Sequence, residues 1–277
     1  MCEFDSGDDI LRGNELSRRQ FGAMGVGAAF LAALPRIAGA ADVSESEVEI
    51  KTPDGTCDAH FVHPANATAA VLVWPDIFGL RPAFRTMGTR LAESGYAVLT
   101  VNPFYRSFKG APKARDDGFT AARSLNATTH VSDAKAFVAW LDAQKAVDTR
   151  RKIGTTGYCM GGPIVMRTAA TIPARVGAGC SFHGGGLNTD AADSPHLLIP
   201  QMKASMLIAI ADNDDQGNPT SKDILRKAFD DAKVQAEIEV YKGANHGWCA
   251  IDSQAYHKEQ AERAWGRMLE LFKKALA

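Results

Sequence analysis

Two short stretches of the 277-residue chain carry residues able to perform nucleophilic chemistry. The first is Gly157-Tyr158-Cys159-Met160-Gly161-Gly162, a Gly-x-Cys-x-Gly-Gly run between a predicted strand and a predicted helix. A cysteine on such a turn is lifted above the edge of a sheet, and small residues on either side let strand and helix approach without a clash. Once deprotonated it is a strong nucleophile and a good leaving group, suited to taking an acyl group and passing it to water. The N–H of Met160, the next backbone group, points from the start of the helix toward the same space and can hold an oxyanion. The second stretch is Gly243-Ala244-Asn245-His246-Gly247-Trp248, which follows the last predicted strand. A histidine in a loop at that point can swing over the nucleophile as general base. His183, in Ser181-Phe182-His183-Gly184-Gly185, also ends a strand and is the rival base.

An imidazole acting as base needs an acid to orient it and to stabilise its charged form. The predicted strand 206–211 runs into Asp212-Asn213-Asp214-Asp215, where three aspartates crowd one turn. Asp214 is preferred and Asp215 is second, with Asp212 the remaining candidate. The chain order is then nucleophile, acid, histidine, the order of α/β-hydrolases. The predicted strand 70–74 ends in Pro75-Asp76-Ile77-Phe78-Gly79-Leu80, where such enzymes place their second oxyanion donor. The N–H of Ile77 is the group expected there.

The elements that must carry these residues follow from periodicity. Residues 48–51 and 59–62 form two short strands around the turn Pro53-Asp54-Gly55. Residues 70–74, 96–101, 153–156, 176–182, 206–211 and 236–241 are further strands, several of them continuous apolar runs that fit a buried sheet. Helices are predicted over 81–94, 132–141, 162–171, 221–233 and 257–276, and residues 104–130 are read as a long irregular excursion. Strands alternating with helices imply a mostly parallel sheet covered on both faces, in a single α/β domain over residues 41–277.

Composition bounds the functional classes. Hydrophobic residues make up 45% and charged residues 23%, enough apolar matter for a sizeable core. A formal charge of −1, with no basic patch interleaved with aromatics, gives no reason to expect nucleic acid or an anionic membrane as partner. The five cysteines include no CxxC or Cys/His cluster of metal spacing, so neither zinc nor a resolving cysteine beside Cys159 is expected. Residues 1–40 read as an address. Ser17-Arg18-Arg19-Gln20-Phe21 precedes an apolar run from 22 to 34 too short to span a bilayer comfortably, and Ala38-Gly39-Ala40 offers a cleavage site. This resembles a twin-arginine export signal, which implies a periplasmic or secreted protein with no membrane anchor after cleavage.

Taken together, the Cys159 turn, Asp76-Ile77-Phe78-Gly79-Leu80, the acidic turn at Asp214 and Gly243-Ala244-Asn245-His246-Gly247 resemble the dienelactone hydrolase family, over the whole chain from about Val43 onward. The resemblance implies an α/β-hydrolase fold, a Cys–Asp–His triad at Cys159, Asp214 and His246, and hydrolysis of lactone or ester bonds in small molecules through an acyl-thiol intermediate. It implies no metal or organic cofactor. Members carry a thiol-activating glutamate before the Ile-Phe-Gly segment, and Asp76 holds that place here with one methylene less. Members also bind a substrate carboxylate with arginines. Arg106 is available for one of them, with Tyr105 and Trp248 as the accompanying substrate contacts. The stretch Trp248-Cys249-Ala250-Ile251 offers no arginine after the histidine.

Overall fold

The structure, a computed structural model, describes residues 41–277. The export-signal reading falls on residues 1–40 and lies outside them. Eight strands form one sheet: β1 (Val43–Thr52), β2 (Gly55–Pro64), β3 (Ala69–Trp74), β4 (Tyr96–Val101), β5 (Ile153–Tyr158), β6 (Val176–Phe182), β7 (Ser205–Ala211) and β8 (Ala236–Tyr241). Their spatial order is β1-β2-β4-β3-β5-β6-β7-β8. β2 pairs antiparallel with β1 and β4, and every other pairing is parallel. This is the α/β-hydrolase arrangement. All the parallel strands end at one edge, so the turns that follow β3, β5, β6, β7 and β8 gather there. Those turns hold Ile77, Cys159, His183, Asp214 and His246.

The inner parallel strands β3 to β7 are largely buried on both faces while the edge strand β8 is only partly buried, and the inner side chains divide between two cores with the period of two that a strand imposes. From β3, Ala70, Leu72 and Trp74 enter one core while Ala69, Val71 and Val73 enter the other. The first core is closed by α3 (Ala127–Asp142) through Phe137 and Leu141, by α4 (Gly161–Thr171) through Ile164, Val165 and Ala169, and by α6 (Ser221–Ala232) through Leu225 and Phe229. The second is closed by α1 (Pro82–Glu93) through Phe84 and Leu91, and by α7 (Lys258–Ala275) through Trp265, Met268 and Phe272. Among the described residues no helix is long and apolar enough to cross a membrane.

Local structure departs from expectation in three places. The segment 104–130 is not irregular throughout: it contains α2 (Arg115–Ser124) and the first turn of α3. Helix α3 starts at Ala127 rather than 132 because Asn126 caps it. Its side chain accepts from the N–H groups of Thr128 and Thr129, and Thr129 Oγ1 accepts the Asn126 N–H. The acidic turn after β7 is a one-turn helix, α5 (Asp212–Gly217), which sets successive aspartates pointing in different directions.

Candidate active site

The turn after β5 is held tight by three glycines. A Cβ on Gly157 would stand 2.3 Å from the Gly161 carbonyl oxygen, one on Gly161 would stand 2.5 Å from the Trp74 carbonyl oxygen, and one on Gly162 would stand 2.4 Å from Ser181 Oγ. None of the three contacts leaves room for a side chain. The Cys159 carbonyl accepts the Gly162 N–H at 3.1 Å to close the turn. Cys159 itself takes φ +54°, a left-handed conformation that a side-chain-bearing residue adopts at a cost of about 1–3 kcal/mol. Its N–H donates to the Phe182 carbonyl and to His183 Nδ1, both at 3.1 Å.

His246 lies close enough to Cys159 for the thiol to help raise its pKa. Nδ1 of the same ring lies 2.7 Å from Asp214 Oδ2. Burial alone would push the imidazole toward its neutral form, but the hydrogen bond to Asp214 and the contact with Cys159 outweigh it and raise the His246 pKa to about 10. The loop is fixed from below by Asn213, whose Oδ1 accepts the His246 N–H at 2.8 Å. The other two aspartates of α5 face elsewhere. Asp212 accepts from Lys242 Nζ and the Gly243 N–H, and Asp215 pairs with Lys222 at 2.6 Å. Only Asp214 meets the histidine.

The N–H groups of Met160 and Ile77 donate to no protein group among the described residues. Gly161 sits against the carbonyl oxygens of Trp74 and Pro75, so the start of α4 abuts the loop that carries Ile77. Helix α2 covers that loop from outside. A Cβ on Gly118 would stand 2.4 Å from the Ile77 carbonyl oxygen.

A profile of the dienelactone hydrolase family matches residues 57–276. The chain belongs to the dienelactone hydrolase family. It is 26% identical over 232 residues to a carboxymethylenebutenolidase of Rhodococcus opacus, covering 82% of this chain and 90% of that protein. It is 30% identical over 209 residues to an Escherichia coli K12 protein named for the same activity, covering 73% and 76%. A Klebsiella pneumoniae protein crystallised as a dienelactone hydrolase superposes with a TM-score of 0.74 at 24% identity, over 84% of this chain and 99% of that one. The chain is thus a hydrolase of the lactone and ester class.

Against that family the remaining predicted residues fall in distinct places. Asp76 sits at the end of β3 but is held in an ion pair. Its Oδ1 and Oδ2 accept from Arg81 at 2.5 and 3.0 Å, and Oδ1 also accepts the Phe78 N–H. Arg81 turns its other donors to Asp252, at 2.7 and 2.9 Å, in the loop that carries His246. Tyr105 and Arg106 make their contacts with Thr52, Asp54 and Asp133, and none with Cys159 or His246. Trp248 requires a correction as a substrate contact. It is wholly buried, stacked on Tyr241 with ring centroids 4.5 Å apart, and forms the floor of the histidine loop. Cys57, Cys159, Cys180 and Cys249 are all unpaired thiols.

His183, the rival base, lies beside the site in a different role. Its Nδ1 accepts the Cys159 N–H, so the ring proton is on Nε2, which is buried without a partner. Burial, reinforced by the charge of His246, pushes its pKa far below the ordinary histidine value. Its ring is packed edge-on against His246 at 4.8 Å. Sequence pattern missed two contributors, Asn213 and Arg81. The first was visible only as one polar residue in a polar turn, and the second as an arginine five positions after Asp76.

Proposed function

We propose that the protein hydrolyses a carboxylic ester or lactone through an acyl group carried on Cys159. The observation that supports this reading is the chain of contacts Cys159–His246–Asp214 mounted on a left-handed nucleophile turn. Cys159 passes its proton to His246, and Sγ attacks the substrate carbonyl as the carbonyl electrons move onto oxygen. The N–H groups of Met160 and Ile77 receive that oxyanion, each contributing about 2.7–4 kcal/mol to lowering the barrier. When the tetrahedral intermediate collapses, the C–O bond to the leaving group breaks and the His246 proton goes to the departing oxygen. Water then gives a proton to His246 and its oxygen attacks the thioester. The C–S bond breaks, the acid leaves, and the proton on His246 returns to the sulfur. Asp214 holds the imidazole in the required tautomer and stabilises its charge.

The carboxymethylenebutenolidase relatives suggest a small lactone or ester as substrate. The twin-arginine run at Arg18-Arg19 supports action outside the cytoplasm. Both parts have direct tests. Purified wild type should hydrolyse 4-nitrophenyl acetate or an unsaturated lactone, and Cys159→Ala should not; equal rates would end the proposal. Cell fractionation should find the mature chain in the periplasm or medium, and retention of Arg18→Lys/Arg19→Lys in the cytoplasm is the matching control.

A further inference from the structure

Each arginine on which the family resemblance or the geometry of the site would place a substrate carboxylate is already neutralised. Arg81 is the cation that joins the oxyanion loop to the histidine loop, and it meets a carboxylate on each side, Asp76 and Asp252. Only 12% of its side chain is exposed. With five donors in a fixed fork it makes two hydrogen bonds to each carboxylate, and little of the fork is left for a further anion. One cation between two carboxylates leaves this side of the site with a net negative charge. Arg106 is likewise bound by two, Asp54 and Asp133. Protonated His246 and Asp214 also cancel. Lys113, just before α2, and Arg115, Asp116 and Asp117 in its first turn sum to no net charge at this end of the helix that covers the Ile77 loop.

From this distribution we infer that the site selects substrates whose acyl part is uncharged, and that Asp252 is a specificity-determining residue. Asp252 occupies the half of the Arg81 fork that Asp76 leaves open. This inference rests on the hydrolase reading above and narrows it. A carboxylate brought to the site would have to displace Asp76 or Asp252 from a bidentate pair, and would meet like charge on arrival. An uncharged acyl chain faces neither obstacle, and Phe78, exposed beside the Arg81 fork, offers it an apolar contact.

A matched pair of substrates tests this: 4-nitrophenyl butyrate and the 4-nitrophenyl monoester of succinic acid, which differ chiefly in a terminal carboxylate. Wild type should favour the butyrate by about tenfold or more in kcat/KM, and the ratio should shrink as salt is raised. Asp252→Asn, at a half-exposed position, should narrow the ratio about threefold, mainly through a lower KM for the succinate ester. A wild type that hydrolyses the succinate ester as fast as the butyrate overturns the inference. An unchanged ratio in Asp252→Asn overturns the role of that residue. Failure to hydrolyse either ester would instead bring down the hydrolase reading, which separates the two claims.

Discussion

The turn after β6 and the loop after β8 each present a histidine at the same edge of the sheet, with the two rings 4.8 Å apart. Their protonation is opposite. His246 is raised to about 10, and His183 is driven well below the ordinary value. Burial acts on both in the same direction, so burial does not separate them. Partners do. His246 has a carboxylate on one side and the thiol on the other, while His183 has a backbone N–H on one nitrogen and apolar surroundings on the other. Closeness to Cys159 therefore does not by itself mark the ring suited to act as base. The ring whose proton is stabilised is the one bonded to a carboxylate, and the other accepts the Cys159 N–H.

The largest effect expected is from Cys159→Ala, which should lower kcat for an aryl ester by about 10³-fold or more in a steady-state assay. His246→Ala should follow, at about 10²–10⁴-fold, and Asp214→Asn at about 10²-fold, whereas Asp212→Asn and Asp215→Asn should each stay within about threefold. A large loss in either of those last two would break the contrast among the three aspartates. For His183 the expected effect is smaller and depends on chemistry. His183→Leu removes the acceptor for the Cys159 N–H and should reduce kcat about tenfold with little change in KM. His183→Asn can place an oxygen near the former Nδ1 and should recover most of that loss. If His183→Leu matches His246→Ala and Asn gives no rescue, the two histidines are not divided as described.

The smallest effects are on stability, and their signs are opposite. His246 has a folded-state pKa raised to about 10 from an ordinary 6.5. Its contribution is therefore fully present below pH 6.5 and is lost as pH rises toward 10. His183 has a depressed pKa. Its contribution is present above pH 6.5 and is lost as the pH falls below it, because only the unfolded chain then gains the proton. Thermal denaturation should show His246→Gln converging on wild type at high pH and His183→Asn converging on it at low pH. Shifts in the same direction for both variants would contradict the assignment.

The fold was legible because buried strands such as β3 and β4 read as continuous apolar runs, closed by Pro75 and Asn102, that alternate with helical patterns. Cys159, Asp214 and His246 were legible for a different reason: each stands at the end of such a strand, so topology alone brings them to one edge. Contacts between side chains distant in the chain were not legible. Nothing local to Arg81 announces Asp252, 171 positions away, and nothing local to Trp248 shows that its ring packs under the loop instead of facing solvent. The α3 cap was readable in principle, since Asn126 stands three residues before Thr129, but the basic character of the preceding stretch hid it.

The central claim is that an acyl group is carried on the sulfur at the β5–α4 turn. Rapid mixing with a 4-nitrophenyl ester, acid quenching and peptide mass spectrometry test it directly. The account predicts one acyl group per chain, located on Cys159, formed in a burst and lost at the turnover rate. An acyl group on any other residue, or steady turnover with Cys159 never modified and equally fast in Cys159→Ala, would contradict it.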